Sequence, residues 1–349
     1  MADRDLYAGR EQTLVKHLIL GKYLQRFAHI IGSHWNSITY VDCFSGPWNV
    51  RSDDFKDSSF SIAIVELRKA RETYRLKGKT IELRCFFLEK DPAAYARLKQ
   101  FAEQIHDVKV ETKNAELESS IDAITSFVRQ GGSDTFPFIF IDPTGWTGFA
   151  MDVIAPLLKL EPGEVLINFM TGHVERFIDS PQKQTEASFI RLFGSTNFKS
   201  RIVGMVKQDR EDAIITEYCK SVRLTGQFKY VSPAIVLHPD KDRTHFHLIY
   251  ATRHERGIEV FKEAEKKAMT EMGHVRAEAQ KKRREQVSGM GELFPAEVLH
   301  DRAYYESLRT RYLAMAQKAI LRRLRAKLRL HYDTAWAIAL AHPLSGRAT

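Results

Sequence analysis

Cysteine is scarce in this chain: Cys43, Cys85 and Cys219 are spread over 349 residues and form no CxxC pair. That spacing argues against a disulfide framework or a cysteine-rich zinc site, and it reads as reduced thiols in a cytoplasmic protein. Cys43 sits in an apolar run, where a thiol behaves as a small hydrophobe. No apolar run approaches the ~18–20 residues needed to span a bilayer. The first residues, Met1-Ala2-Asp3-Arg4-Asp5, are charged where a secretion signal would be apolar. No GxSxG elbow surrounds Ser45, which disfavours a serine hydrolase. His245 and His247 fall on one face of an expected strand, a spacing that suits a metal. No Cys or third His lies nearby in sequence, so a solvated or core pair is the plainer reading. Internal repeats and low-complexity tracts are also missing.

What the chain does have is material for a full α/β core. Hydrophobic residues make up 44% of it and charged residues 28%, and it is longer than one domain of ~100–200 residues. The formal net charge of +9 is uneven: residues 262–331 hold 17 Lys/Arg against 9 Asp/Glu, so everything before them carries about +1. This asymmetry predicts a near-neutral α/β domain over 1–261 and a basic, mainly helical region over 262–349. The concentration of positive charge points to phosphate-rich partners, nucleic acid above all, against the alternative of a solvated helical face.

Two stretches say most about chemistry. Tyr40–Pro47 and Phe138–Trp146 are each an apolar, β-branched and aromatic run ending abruptly in an Asp and a Gly/Pro turn. Buried parallel strands look like this when they deliver a carboxylate to the carboxyl edge of a sheet, where ligands bind. Around them the pattern predicts a helix over 11–31 and strands at 38–44, 81–88, 108–112, 136–141 and 164–170. Helices are expected between the strands, including one over 115–130. Strands at 229–237 and 245–252 flank the polar turn Pro239-Asp240-Lys241-Asp242-Arg243 and read as an antiparallel hairpin. The fold class is therefore α/β: a doubly wound, mostly parallel Rossmann-like sheet with a C-terminal antiparallel hairpin. Beyond Gly257 the period stays helical, although 262–286 holds few large apolar side chains. Tyr304, Leu308, Tyr312, Met315, Ile320, Leu324 and Leu328 form one stripe, which predicts a helix with one packed and one basic face.

This order of elements resembles a class I S-adenosylmethionine-dependent methyltransferase. At the level of motifs it is similar to the bacterial and phage three-Cys-motif partner family (TcmP). The resemblance covers roughly residues 11–265 and rests on Lys16 through Leu24, Tyr40–Pro47, Phe140–Trp146, Asn168-Phe169-Met170 with Arg176 downstream, and Tyr250-Ala251-Thr252-Arg253-His254 running to Phe261. It implies a methyltransferase-like fold found alongside a separate cysteine-bearing, radical-chemistry-like partner protein, often in mobile-element contexts.

Under that resemblance the cofactor, S-adenosylmethionine, is expected at Asp42, Phe44, Ser45, Gly46, Glu89 and Asn114. Gly46 lets the backbone approach the ligand, with Asp42 oriented towards its ammonium or a bound water. Glu89, ending the second strand, matches the acidic residue that accepts from ribose hydroxyls, and Asn114 is placed at the adenine edge. Asp42 also suits the turn-capping role common for Asp. Asp142-Pro143-Thr144-Gly145-Trp146 occupies the place of the Asp/Asn-Pro-Pro-aromatic motif of amine methyltransferases. There Asp142 and the Pro143 carbonyl would accept the amine's protons, and Trp146 would stack on an extruded base. Two departures are visible: Thr144 replaces the second proline, and the aromatic arrives one residue late. Trp48 also stands where a DxFxGxG-type loop has its second glycine. Two readings stay open: a methyltransferase that methylates or docks to nucleic acid, and a non-catalytic interaction protein working with the three-Cys-motif partner.

Overall fold

Seven strands and the helices between them arise from the apolar periodicities noted above. The computed structural model describes residues 4–46, 50–205 and 207–345; Pro47 and Trp48 lie outside them. The order is α1 (Glu11–His34), β1 (Ser37–Asp42), α2 (Ser59–Arg75), β2 (Glu82–Glu89), α3 (Pro92–Glu103), β3 (Lys109–Asn114), α4 (Ile121–Arg129), β4 (Thr135–Ile141), α5 (Met151–Leu158) and β5 (Glu164–Phe169). Then follow α6 (Thr171–Phe177), α7 (Lys183–Phe193), α8 (Lys207–Gly226), β6 (Tyr230–Leu237), β7 (Thr244–Thr252), α9 (Glu255–Ser288), α10 (Ala303–Lys327) and α11 (Tyr332–Leu340).

The sheet order is β3-β2-β1-β4-β5-β7-β6. All strands run parallel except β7, which pairs antiparallel with both β5 and β6. The expected doubly wound sheet with an antiparallel hairpin is therefore present, and the hairpin folds back so that its second strand lies inside the sheet. Composition explains that choice. Both strands are buried along nearly their whole length, but β6 carries Pro233, which has no N–H to donate and suits an edge. The strand reversal between β1 and β4 makes this a doubly wound, Rossmann-like sheet whose ligand crevice belongs at the carboxyl ends of those strands.

Alternating side chains split the core between the two faces of the sheet. Ile38, Tyr40, Phe138 and Tyr250 pack under α1, α2 and α9; Val41, Ile139, Ile167 and Ile249 pack under α4, α5, α7 and α8. One buried polar knot ties α1 to the far end of the sheet. The Tyr23 hydroxyl donates to Glu164, lies 2.6 Å from the Tyr250 hydroxyl, and Thr252 donates to the other Glu164 oxygen at 2.8 Å. Burial pushes the Glu164 carboxyl up from its ordinary range, against the stabilising effect of these donors.

Two local expectations need correcting. Residues 115–120 are not helical: the hydroxyls of Ser119 and Ser120 both bond back to the Glu116 carbonyl, and α4 starts only at Ile121. α9 carries the chain across residue 262 without a break, burying Ala264, Ala268, Met269, Met272 and Val275 against the α1 side of the core. The α10 stripe packs only in its first half, where Leu308, Tyr312 and Ala316 are buried; Leu324 and Leu328 are exposed.

Candidate functional site

A cleft of about 710 Å³ opens at the carboxyl ends of β1, β2, β4 and β5. Its size is within the usual range for a small-molecule site. Phe44 and Gly46 after β1, Leu88 and Glu89 at the end of β2, Asp142 and Pro143 after β4, and Asn168 at the end of β5 all line it. The N-terminal turns of α1 close one side with Arg10, Lys16 and His17, and the irregular segment 115–118 forms another wall. The loop after β1 is clipped to α1 by buried Asp57, which accepts from Arg51 N at 3.0 Å, from Ser52 N at 3.2 Å and from the Arg10 guanidinium.

Asp142 is the best-organised group in the cleft. Lys16 Nζ donates to its Oδ2 at 2.5 Å, and Asn168 Nδ2 donates to its Oδ1 at 2.7 Å. Asn168 is itself buried, and its Oδ1 has no hydrogen-bond partner. The amide must present its N–H to the carboxylate, so this acceptor oxygen is left over on a residue that lines the cleft. A buried, unpaired acceptor costs free energy until something donates to it.

Asp42 sits differently. It is fully buried and does not itself line the cleft. Ser59 Oγ donates to its Oδ2 at 2.6 Å, Tyr40 donates to the same oxygen at 3.3 Å, and Phe44 N donates to Oδ1 at 3.1 Å. Burial pushes its pKa up to about 6, with the Asp142 charge adding to the rise and the Ser59 and Phe44 donors opposing it. The turn-capping geometry weighed from sequence is thus visible, and it shapes the loop that carries Gly46. Ser45 reinforces that loop: its hydroxyl donates to the Asp42 carbonyl at 2.9 Å and its N–H to the Leu88 carbonyl at 2.8 Å.

Glu89 lines the cleft with little exposure, and its Oε1 accepts from Asp91 N at 2.7 Å. Asn114 is outside the cleft wall: its amide donates to the carbonyls of Glu89 and Lys90 at 2.8 and 3.1 Å and so fixes the β2 turn. Trp146 is also turned away from the cleft. Its ring lies 4.8 Å from Phe177 and 5.7 Å from Phe189, centroid to centroid, and its Nε1 donates to Ser188 at 3.1 Å. The motif around Asp142 therefore brings Asp142 and Pro143 into the cleft with Phe44, Gly46 and Glu89, while Asp42, Ser45, Asn114 and Trp146 brace its surroundings.

Sequence reasoning gave no site role to Lys16 or Asn168. Asn168 carries a weaker form of Asp142's signal, a polar residue near the end of the apolar run 165–170 with Phe169 and Met170 after it. Lys16 carries no such signal, because only the docking of α1 brings it 126 positions forward to Asp142. The histidine pair divides: His245 lines the cleft, whereas buried His247 lies 2.7 Å from the Thr171 hydroxyl. No group of three or more His, Cys, Asp or Glu side chains among the described residues is arranged to hold a metal.

A nucleoside-bearing cofactor of the implied kind fits these residues. Glu89 supplies a carboxylate, Phe44, Leu88 and Leu117 supply apolar wall, and Gly46 leaves the backbone accessible.

No family model matches the chain, and no curated protein matches it. Among solved structures it is similar to protein LPL1258 from Legionella pneumophila str. Philadelphia 1, family-model DUF519, at 11% identity over 68% of this chain and 84% of that one, with a TM-score of 0.37. It is also similar to a loganic acid methyltransferase with SAH, at 10% identity over 76% of this chain and 83% of that one, with a TM-score of 0.34. At such scores neither likeness bears on the site, and the description of the fold rests on strand order and direction.

Proposed function

We propose that this chain is a three-Cys-motif partner protein that binds S-adenosylmethionine in the cleft and directs methyl transfer to an amine nitrogen of a nucleic acid. The observation that carries the reading is Asp142, held at both oxygens by Lys16 and Asn168 on a cleft-lining strand end. The cofactor, when bound, supplies an electrophilic methyl group. The chain's own part is orientation: Asp142 and the Pro143 carbonyl accept the amine's protons and aim its lone pair. The unpaired Asn168 Oδ1 gives the same amine a further acceptor. Gly46 and Glu89 hold the cofactor, Asp42 and Ser45 keep the Gly46 loop in shape, and Asn114 fixes the wall next to Glu89.

One observation favours the second reading, a non-catalytic interaction protein acting with its partner. Trp146, the aromatic of the motif, is engaged by Phe177, Phe189 and Ser188, so the cleft has no ring from this motif to stack on a base. Calorimetry with S-adenosylhomocysteine separates the two. Saturable binding that Gly46→Trp abolishes in a folded protein supports the cofactor site, and a tritiated-methyl assay on DNA, RNA and the cognate partner then tests transfer. No binding up to millimolar ligand overturns the methyltransferase reading.

A further inference from the structure

Between Glu306 and Asp333 the chain has 26 residues without one acidic side chain, and eight of them are Lys or Arg. The fold uses some of this charge internally. Arg311 is bonded by Asp209 and Asp212 of α8, each at 2.5 Å, and the Tyr312 hydroxyl donates to Asp212 at 3.0 Å. Elsewhere in the basic region Lys262 is buried against Glu265, Arg276 pairs with Asp242, and Arg284 with Glu292. Lys318, Arg322, Arg323, Arg325, Lys327 and Arg329 differ. All six are exposed, and none pairs with an acidic side chain among the described residues.

Their placement is regular. Lys318, Arg322 and Arg325 recur at intervals of four and three, which puts them on one face of α10, and Arg329 lies just beyond its end, after Leu328. Like charges at such intervals repel, so this stripe lowers helix stability unless an anion lies along it.

The position of the stripe follows from α10's neighbours. Tyr304, at its start, stacks with Arg276, which bonds the His238 and Lys241 carbonyls of the β6–β7 turn on the cleft side of the sheet. Arg311 then meets the first turns of α8, and Met315 shares a cavity wall with Ile215 and Cys219 further along it. α8 ends at Gly226, whose carbonyl accepts from Arg253 beyond the last residue of β7, at the opposite edge. α10 thus runs alongside α8 away from the cleft, and a 25-residue helix is about 37 Å long.

We infer that the C-terminal half of α10 is a docking surface for a nucleic-acid backbone, separate from the cleft and at the opposite edge of the sheet. The inference deepens the proposed nucleic-acid reading and rests on it for the identity of the polyanion. A continuous row of unpaired cations matches a row of phosphates, and each neutralised phosphate releases counterions. An anionic bilayer is the competing occupant, because Leu321, Leu324 and Leu328 are exposed at 50%, 38% and 87%. An interfacial helix needs a continuous apolar face with large side chains. Here Phe, Tyr and Trp are absent from 313–331, whereas Lys318, Arg322 and Arg325 share one cationic face of α10.

The test compares full-length wild type with a variant carrying Lys318→Gln, Arg322→Gln, Arg325→Gln and Arg329→Gln, all at exposed positions. Binding to a random-sequence 24-base-pair DNA duplex is measured across a salt series. The variant is expected to bind at least about tenfold more weakly, with a log K against log salt slope shallower by up to about 3.6. Leu321→Gln with Leu328→Gln is expected to leave duplex affinity unchanged. Equal duplex affinity in wild type and the four-site variant overturns the inference. So does wild-type binding to phosphatidylglycerol–phosphatidylcholine vesicles without binding to the duplex. Calorimetry with S-adenosylhomocysteine on the same proteins separates this outcome from failure of the cleft reading, since the four substitutions are remote from the cleft.

Discussion

Lys16 and Asp142 are 126 positions apart in sequence, yet Lys16 Nζ lies 2.5 Å from Asp142 Oδ2, each side chain being only 13% exposed. A cation from the first helix thereby holds one oxygen of the carboxylate that ends β4, and Asn168 holds the other. Lys16→Met removes one charge-assisted hydrogen bond and leaves Asp142 held at a single oxygen. A stability loss of roughly 1–3 kcal/mol is expected by denaturant titration. If the pair acts as a unit, the effect of Lys16→Met on methyl transfer is expected to vanish in an Asp142→Ala background.

Asp142→Ala is expected to leave S-adenosylhomocysteine affinity within a few fold of wild type while lowering methyl transfer by about 100-fold or more, the scale of lost orientation. Single-turnover transfer and calorimetry on one preparation check both halves. Transfer at the wild-type rate would remove Asp142 from the chemistry.

Trp146→Ala tests what the ring does. Held between Phe177 and Phe189, it is expected to cost about 1–3 kcal/mol of stability through lost aromatic packing. If the ring also leaves this packing to stack on a target base, substrate affinity falls by a further ~1–3 kcal/mol. Unfolding and substrate titration of the same variant distinguish the two roles.

Asp42 makes stability depend on pH. Its carboxyl is pushed up to about 6 in the folded chain, against an ordinary value near ~3.9. The folded state therefore binds the proton more tightly than the unfolded state. The associated stabilisation is fully present below about pH 4 and is lost as pH rises through about 6, to a total on the order of 3 kcal/mol. Asp42→Asn is expected to flatten the stability profile between those limits, as read from denaturation midpoints.

Tyr23→Phe removes a donor from buried Glu164 and leaves its oxygen served less well. A loss of about 1–3 kcal/mol is expected. Cofactor affinity should not change, because the knot lies at the opposite end of the sheet from the cleft.

Strands and helices were legible because they are written in local periodicity. Apolar runs closed by Asp or Gly/Pro turns located β1, β2, β4 and β5 to within two residues, and Ser58 caps α2 locally by accepting from Ser61 N. The strand-end rule also found Asp142 and Glu89, which line the cleft. Asn168 lies near the same sheet edge, but Phe169 and Met170 continue the apolar run past it, so the rule gave it no site role. Residues 115–120 misled for an equally local reason: a helical pattern of apolar residues lost to two serine hydroxyls that bond the Glu116 carbonyl.

The remainder required tertiary structure, because it depends on which faces meet. Nothing near Lys16 in sequence says that α1 will lie over the ends of β1 and β4, and nothing near Trp146 says that α6 and α7 will close around its ring. Composition counted the 17 basic residues of 262–331 as one population. Packing divided them, since Lys262, Arg276, Arg284 and Arg311 found carboxylates on neighbouring segments. The six on the last turns of α10 and just beyond it found none. The sequence by itself determined the elements, the sheet and two acidic strand ends, because burial imposes a period on the chain. Which polar groups meet in the cleft, and which cations stay free, was decided only when helices from distant parts of the chain came to rest on that sheet.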